Sequence, residues 1–393
     1  MTESLANADP TVAIVVGGRF VAFDIARALQ RQGKLAGIVS SYPRAFREGI
    51  PASRLRWNPV LGARESLALR LGRRPRHEVE YEHVVRFGRW AANHLPSADV
   101  LQAWTGYALE SLVHARDVGS LAVAFRASAH IVRQAALLRE EFERFGFAGE
   151  AVYEPMVERE LKEYATADYI QVISSFARRT FIEQGIAAEK LLLTPLAVEI
   201  GEVSGIPRRP RVGPLRVLYL GSISLRKGVH YLLDAAHSLP RGAVQVSLIG
   251  GTSPDGEMIL RGFARSGEWK GKVGRREIAL VFAQHDVLVL PSIEDGFGAV
   301  ICEAMAAGIP VIATTNTGGP DIIEHGVTGF LVPPRSVAAI AAALSRLVDD
   351  RAECEAMGRA AASMMRERRT WDDFSDEMLR SYRSLPARRP VSC

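Results

Sequence analysis

A chain of 393 residues, 48% of them hydrophobic, is long enough for two or three domains and a large apolar core. Its three cysteines, Cys302, Cys354 and Cys393, lack metal-ligand spacing, which argues against a disulfide framework or a structural zinc site and indicates a reducing compartment. The N-terminus has no basic segment followed by an apolar one, and no run approaches about 18 apolar residues. We therefore expect a cytoplasmic protein without a signal peptide or a transmembrane helix.

The N-terminal half alternates buried-strand and helix patterns. Its first apolar run is followed by the glycine turn Gly17-Gly18 and then by a helical pattern, which is typical of a buried parallel-sheet unit. The pattern predicts strands at 11–16, 35–39, 99–104, 121–125 and 169–173, helices at 22–30 and 129–145, and a helix cap at 174–175. This alternation predicts a doubly wound α/β domain.

Arginine is concentrated in residues 41–90. This segment holds eleven arginines against five glutamates, although the net charge of the whole chain is only +5. One interpretation is a solvated face, and the other is a patch for anionic lipid headgroups or an anionic acceptor, which would bring the protein to the inner face of a membrane. The segment has no nucleic-acid recognition motif, so we expect no nucleic-acid partner.

A second α/β series begins after residues 201–214, a stretch rich in Gly, Pro and Arg that we interpret as a linker. The pattern predicts strands at 215–220, 244–249, 287–290, 310–313 and 329–332 and helices at 228–238, 299–307, 337–348 and 370–385, and leaves a short strand within 252–280 unplaced. The predicted fold is two doubly wound domains that face a cleft, residues 1–203 and 204–370. A C-terminal helix and tail, residues 371–393, then cross back to the first domain.

Two loops of the second series carry charged residues at strand ends. GSISLRKG, with Arg226 and Lys227, follows the strand at 215–220, whereas Asp295 follows the strand at 287–290 and Glu303 comes eight positions later. Cations at a strand end can stabilise a diphosphate, and carboxylates can accept hydrogen bonds from the vicinal hydroxyls of a sugar or ribose. The alternative is two solvated cations at a turn, an Asp295 that caps a helix and an exposed Glu303.

Several further motifs, taken together with these loops, resemble the family 4 glycosyltransferases of the GT-B fold. The matching segments are GSISLRKG, GGTSPDG (250–256), HDVLVLPS (285–292), DGFGAVICEAMAAGIPVIAT (295–314), TGGPDII (317–323) and GVTGFLVPP (326–334). The resemblance implies two Rossmann-like domains with a central cleft. It also implies transfer of a sugar from a nucleotide diphosphate sugar with retention of anomeric configuration.

The resemblance assigns roles to individual residues. It implies that Arg226 and Lys227 hold the diphosphate and, with Asp295, form the catalytic set. Asp295 and Glu303 fall on the family's pair of glutamates, of which the first reaches the donor sugar and the second the ribose. The donor-binding residues that the resemblance implies are Gly17, Gly18, Ser222, Gly250, Val273, Gly296, Phe297, Gly298 and Glu303.

Two positions depart from the family pattern. Asp295 replaces the first glutamate of the pair and is one methylene shorter, so the neighbouring Glu294 is a candidate to take its place. Ser222 stands where many members have an arginine, so diphosphate binding depends on Arg226 and Lys227.

On the acceptor side, the candidates are Arg126 and His130. Arg126 ends an apolar strand, where the family often has a histidine, and a guanidinium there needs an anionic partner or solvent. His130 either faces the cleft or makes a local hydrogen bond at a helix start. Glu158 and Glu160 resemble a family glutamate pair near the domain junction, which we interpret as structural.

No DxD motif follows a strand, so we expect neither a metal nor another cofactor. The predicted partners are a nucleotide-sugar donor and a glycan or lipid-linked acceptor, in cell-surface polysaccharide or glycoconjugate synthesis. The alternatives are a non-catalytic nucleotide-sugar-binding partner subunit and another GT-B enzyme, such as a nucleotide-sugar epimerase or a phosphorylase. An NAD dehydrogenase is disfavoured, because no strand is followed by GxGxxG and a later acidic residue.

Overall fold

The structure is a computed structural model that describes residues 9–18, 20–41, 49–199, 201, 203, 212–262, 267–367 and 370–385. Two parallel β-sheets, each covered by helices, form its framework. The predicted boundary between residues 203 and 204 and the tail after residue 385 fall outside or at the edge of the described residues, so these boundaries stay predictions.

The first sheet belongs to the N-terminal half and has seven strands in the order β3-β2-β1-β4-β5-β6-β7. Its strands are β1 Val12–Val16, β2 Leu35–Ser40, β3 Leu55–Trp57, β4 Val100–Trp104, β5 Leu121–Arg126, β6 Tyr169–Val172 and β7 Leu191–Leu193. Its helices are α1 Ala22–Arg31, α2 Pro59–Leu71, α3 Arg76–Ala92, α4 Leu109–Asp117, α5 Ile131–Arg144, α6 Glu154–Thr166 and α7 Ser175–Glu183.

Strand β1 has a continuously apolar sequence because both of its faces are buried. All of its residues are buried, and Val12, Ile14 and Val16 pack into one apolar cluster whereas Ala13 and Val15 pack into another. Successive side chains of a strand point to opposite faces, so both faces of the sheet are covered. The first domain is therefore doubly wound, as predicted.

The second sheet has six strands in the order β10-β9-β8-β11-β12-β13. Its strands are β8 Leu215–Leu220, β9 Val244–Ile249, β10 Glu268–Trp269, β11 Val287–Leu290, β12 Val311–Thr314 and β13 Gly329–Val332. The remaining helices are α8 Val229–Ser238, α9 Pro254–Gly262, α10 Ile278–Ala283, α11 Val300–Ala306, α12 Val337–Asp349, α13 Arg351–Arg366 and α14 Trp371–Arg383. The strand that the sequence left unplaced is β10, which has only two residues.

In each sheet the strand order reverses at one point, between β1 and β4 in the first and between β8 and β11 in the second. All strand pairs that the structure describes are parallel, so the loops after the two central strands leave the same edge of their sheet. Ligands of doubly wound sheets bind in the crevice at such a reversal. The topology therefore places the loop that carries Arg226 and Lys227 next to the loop that carries Asp295.

Helix α14 crosses back from the C-terminal end of the chain onto the first domain, as predicted. On its buried side, the hydroxyl of Tyr382 donates to the side-chain oxygen of Gln171 at 2.8 Å and accepts from the Gln102 amide at 3.0 Å. On its exposed side, Arg31 of α1 forms an ion pair with Asp372 at 2.7 Å. The C-terminal helix is thus fixed to the first sheet by a buried polar cluster.

The segment 59–92 contains two helices, α2 and α3, that the sequence pattern did not predict. None of the α2 side chains is buried, so no apolar stripe of this helix packs into the core. In the part of the chain that the structure describes, none of the helices combines the length and the apolar character needed to cross a bilayer.

The buried cluster under α14 gives a stability prediction. Tyr382→Phe leaves the Gln171 oxygen with one partner fewer in a buried site, so we expect the free energy of unfolding to fall by about 1 kcal/mol. Chemical denaturation monitored by fluorescence measures this change. Tyr81→Phe, which removes a hydroxyl from a half-buried ring, is the matched control; equal unfolding midpoints for the two variants would contradict the role of the cluster.

Candidate active site

Two loops meet above the reversal between β8 and β11. The Ile293 amide donates to the carbonyl oxygen of Arg226 at 2.9 Å, which joins the loop after β11 to the loop after β8. Gly228, which ends GSISLRKG, has a φ of +66°, and a Cβ at this position would overlap the carbonyl oxygen of Pro291. Only glycine adopts this backbone conformation at no steric cost and also permits the approach.

Both predicted cations are paired with carboxylates in this crevice. The Arg226 Nε donates to Glu294 Oε2 at 2.8 Å, and the Lys227 ammonium contacts the Asp295 carboxylate. The Lys227 and Asp295 side chains are 17% and 15% exposed, and that of Arg226 is 33% exposed. The structure therefore brings Arg226 and Lys227 together with Asp295, which lies 68 residues after Lys227 in the chain.

Asp295 is held toward Lys227. Burial by itself would raise the pKa of the Asp295 carboxyl, but Lys227, Arg226 and the Phe297 amide outweigh it and lower the pKa below its usual value. The Asp295 carboxylate is therefore ionised at neutral pH. The roles of Asp295 and Lys227 toward a donor stay predictions.

Glu294 is directed away from Asp295 into the first domain. Its side chain is fully buried; Oε1 accepts from the Ala129 amide at 2.9 Å, and Oε2 accepts from the Gln134 side chain at 2.8 Å. Burial would raise the pKa of this carboxyl, but Arg226, the Ala129 amide and Gln134 together lower it. With both oxygens engaged in this way, Glu294 does not take the place of Asp295.

The segment 296–298 forms the turn between Asp295 and α11. Gly296 lies against the first domain, because a Cβ there would overlap the carbonyl oxygen of Ala127. Phe297 is only 2% exposed, and its amide donates to Asp295. Gly298 has a φ of +76° and leads into α11, whose first turn carries the half-buried Glu303. Backbone donation from 296–298 to a donor stays a prediction.

The remaining predicted donor-binding residues of the second domain lie after β8, β9 and β10. Ser222 is exposed, and its carbonyl oxygen accepts from the Tyr219 hydroxyl at 2.6 Å. The Gly250 carbonyl accepts from the indole nitrogen of Trp269 at 3.0 Å, and Val273 is half-buried in the loop after β10. This contact of Trp269 with Gly250 was not predicted from the sequence, since β10 is too short to show a strand pattern.

Gly17 and Gly18 follow β1 at the reversal point of the first sheet. The ring of Tyr107, from the loop after β4, lies directly over Gly17, where a Cβ would overlap it. Burial raises the pKa of the Tyr107 hydroxyl to about 12, with contributions from Glu65 and Glu80. Tyr107 was not predicted, although its position after a buried strand next to β1 is the signal that could have found it.

Arg126 finds its anionic partner inside the first domain. At the end of β5, its Nη1 donates to Glu160 at 2.8 Å, its Nη2 to Gln134 at 2.8 Å and its Nε to the Ala129 carbonyl at 3.0 Å. The guanidinium is buried, which opposes its charge, but Glu160 together with Tyr164, Glu294 and Glu163 outweighs burial and raises the pKa of Arg126. Of the two residues predicted near the junction, Glu160 makes this buried pair.

His130 makes the local hydrogen bond of a helix start. It caps α5, accepts from the Val132 amide at 3.3 Å and is only 3% exposed. Its ring packs between those of Tyr164 and Phe181, at centroid distances of 5.0 and 4.9 Å. Burial and Arg126 lower its pKa to about 4, so the ring is uncharged at neutral pH.

Nowhere in the described ranges do three or more His, Cys, Asp or Glu side chains converge in a way that could hold a metal ion. Independence of metal stays a prediction.

Comparison with protein families connects this site to a known class. Residues 214–350, which carry Arg226, Lys227, Asp295 and Glu303, match the family model described as glycosyl transferases group 1. This match confirms the resemblance that the motifs indicated.

Two relatives from Mycobacterium tuberculosis illustrate the match. The chain is 33% identical over 192 residues to a glycogen synthase, a stretch that covers 46% of this chain and 45% of the relative. It is 30% identical over 234 residues to a GDP-mannose-dependent alpha-(1-6)-phosphatidylinositol monomannoside mannosyltransferase, covering 54% and 60%. The chain thus spans about half the length of the curated relatives it matches.

Solved structures match almost the whole chain. Sucrose-phosphate synthase from Thermosynechococcus elongatus has a TM-score of 0.68 at 20% identity, with 95% of this chain and 98% of that chain covered. Anabaena HepE in complex with UDP and glucose has a TM-score of 0.67 at 17% identity, with 96% and 100% covered. These likenesses confirm the predicted GT-B fold.

The contact of Gly296 with the first domain gives a second prediction. Gly296→Ala pushes the loop away from Ala127 and weakens the bond from the Ala129 amide to Glu294. We expect that amide to exchange hydrogen at least about tenfold faster, which corresponds to about 1.4 kcal/mol. Gly62→Ala, in α2 with open space around it, is the control. Unchanged exchange in Gly296→Ala would mean that the two domains do not meet there.

Proposed function

We propose that the protein is a retaining glycosyltransferase that moves a sugar from a nucleotide diphosphate sugar to a glycan or lipid-linked acceptor. One observation carries this proposal: Arg226 and Lys227 converge with Asp295 at the reversal between β8 and β11, within the segment that matches the group 1 family. This is the crevice in which doubly wound sheets bind ligands.

The hydrogen-bond donors at this point suit a diphosphate. The described hydrogen bonds of Arg226 use Nε and Nη2, and the guanidinium has five N–H donors in total. Its carboxylate partner fixes the guanidinium before any ligand arrives. Donors that are already oriented stabilise the charge that develops on a leaving group without reorganisation, so this arrangement favours departure of the nucleoside diphosphate.

Retention requires the acceptor hydroxyl to approach from the face that the diphosphate leaves. In the proposed reaction the leaving phosphate oxygen takes the proton of that hydroxyl, through an oxocarbenium-like transition state. The bond from the sugar to the diphosphate breaks as the bond to the acceptor oxygen forms. Arg226 and Lys227 neutralise the diphosphate, Asp295 accepts hydrogen bonds from the sugar, and Glu303 from the ribose.

The relatives support this class of reaction and leave the donor open. One is named as dependent on GDP-mannose, and HepE was crystallised with UDP and with UDP-glucose. Relatives named for glycogen, amylovoran and phosphatidylinositol mannoside synthesis support a glycan or glycolipid acceptor, and thus a place in polysaccharide or glycoconjugate synthesis.

The direct test is turnover with a panel of UDP, GDP and ADP sugars. Lys227→Ala and Glu303→Ala should each lower acceptor-dependent release of the nucleoside diphosphate at least about a hundredfold, which corresponds to about 2.7 kcal/mol of barrier. Lys162→Ala and Glu355→Ala, which change exposed residues elsewhere, are the matched controls. Near-normal turnover in both site variants would refute the assignment.

Two other outcomes of that panel would replace the proposal. An epimerised or phosphorolysed sugar without an acceptor product would indicate another GT-B enzyme. Tight donor binding without turnover, across a broad acceptor panel, would indicate a non-catalytic partner subunit.

The structure supports the membrane interpretation of the arginine-rich segment at α2. Val60, Leu67 and Leu71 are 54–60% exposed, and their spacing places them on one face of that helix. Arg64 and Arg70 of the same helix are exposed. By contrast, three arginines at 74, 76 and 86 form ion pairs with glutamates of α3. We propose that α2 contacts an anionic membrane surface, its apolar face at the acyl boundary.

Vesicle flotation tests this contact. We expect the protein to float with vesicles that contain phosphatidylglycerol and to be released by salt, because the arginines contribute through the surface potential. Leu67→Asp should reduce the floating fraction severalfold. Val118→Asp changes an equally exposed apolar residue elsewhere and is the control. Flotation that is independent of anionic lipid, or equal in the two variants, would contradict the proposal.

A further inference from the structure

Glu294 is a buried carboxylate between the two domains, next to the proposed donor site. It is fully buried, although it lies in a loop beside a crevice. One of its neighbours, Arg226, belongs to the second domain, whereas the other two, Ala129 and Gln134, belong to the first. A carboxylate seldom lies so deep unless its charge is paired and its oxygens are hydrogen-bonded, and here both conditions are met.

The contacts of Glu294 continue into the first domain. Gln134 donates to Glu294 with its side-chain nitrogen, and its side-chain oxygen accepts from Arg126 at 2.8 Å. Arg126 in turn donates to Glu160 at 2.8 Å. A continuous series of hydrogen bonds, which we name the junction network, therefore runs from Glu160 through Arg126, Gln134 and Glu294 to Arg226.

Glu294 and the first domain together fix two N–H groups of the Arg226 guanidinium. Its Nε donates to Glu294, and its Nη2 donates to the Ser128 hydroxyl of the first domain at 3.2 Å. A guanidinium is planar and rigid, so two anchored N–H groups define the orientation of the remaining ones. Lys227 lacks such a link, since its described partner is Asp295 of the same loop pair.

We propose that Glu294 is a positioning residue, through which the first domain orients Arg226 toward the second phosphate of a nucleoside diphosphate held in the second domain. This inference rests on the proposed function, because it takes the diphosphate as the ligand of Arg226. It adds that the affinity for the second phosphate depends on contacts made by the other domain. Glu294 itself does not touch the donor.

A merely structural role for Glu294 predicts a different result. If Glu294 only joined the domains, its loss would weaken the binding of every nucleotide by a similar factor. If it orients Arg226, its loss should weaken binding of a nucleoside diphosphate and leave binding of the monophosphate almost unchanged. The ratio of the two affinities therefore separates the two roles without requiring turnover.

The experiment is calorimetric titration of the full-length protein with UDP, GDP and ADP and with the corresponding monophosphates. In Glu294→Gln we expect the diphosphate-to-monophosphate affinity ratio to fall about tenfold for the nucleotide that the wild type binds most tightly. Asp321→Asn is the matched control, because Asp321 accepts from the Ser175 amide across the same domain boundary at 2.8 Å but does not contact the junction network. Its ratio should equal that of the wild type.

If Glu294→Gln fails to fold, Gln134→Met still tests the inference, because it leaves the Glu294–Arg226 pair in place. Alone, it should lower the ratio by a smaller factor; in the Glu294→Gln background it should have no further effect, because it acts through Glu294. An unchanged ratio in both single variants, or equal losses for di- and monophosphate, would overturn the inference while leaving the proposed function intact. If the wild type binds none of these nucleotides, the proposed function fails and this inference fails with it.

Discussion

Charge pairing in the crevice above β8 and β11 is the interaction on which the site depends. A buried or half-buried charge is costly unless an opposite charge and hydrogen bonds accompany it. Arg226 and Lys227 meet this condition through Glu294 and Asp295, which come from a loop 68 residues later in the chain. The parallel order of β8 and β11 supplies the proximity, and Gly228 permits the two loops to touch.

The same carboxylates connect the site to the rest of the molecule. Asp295 stays within the second domain, whereas Glu294 reaches into the first. A second buried carboxylate, Glu141 of α5, also crosses the boundary and accepts from His230 at 2.9 Å and Arg335 at 2.7 Å. The domains therefore meet through ion pairs and hydrogen bonds at several points.

The sequence was sufficient for those features that depend on local pattern. The strands other than the short β3, β7 and β10, the helix cap at Ser174 and the two charged loops all follow from periodicity and strand ends. The direction of Glu294 could not be predicted, because it depends on groups 160 and 165 residues away. Helix α2 was missed because it has no buried face, and the cap made by His130 depends on packing against Tyr164 and Phe181.

We propose above all that this crevice binds a diphosphate through Arg226 and Lys227. A crystal structure of the protein with a saturating concentration of its preferred nucleoside diphosphate tests it most directly. We expect phosphate oxygens within about 3 Å of the Arg226 guanidinium and the Lys227 ammonium, with Glu294 still bound to Arg226. A crevice without nucleotide, or a nucleotide bound while both cationic groups face bulk solvent, would contradict it.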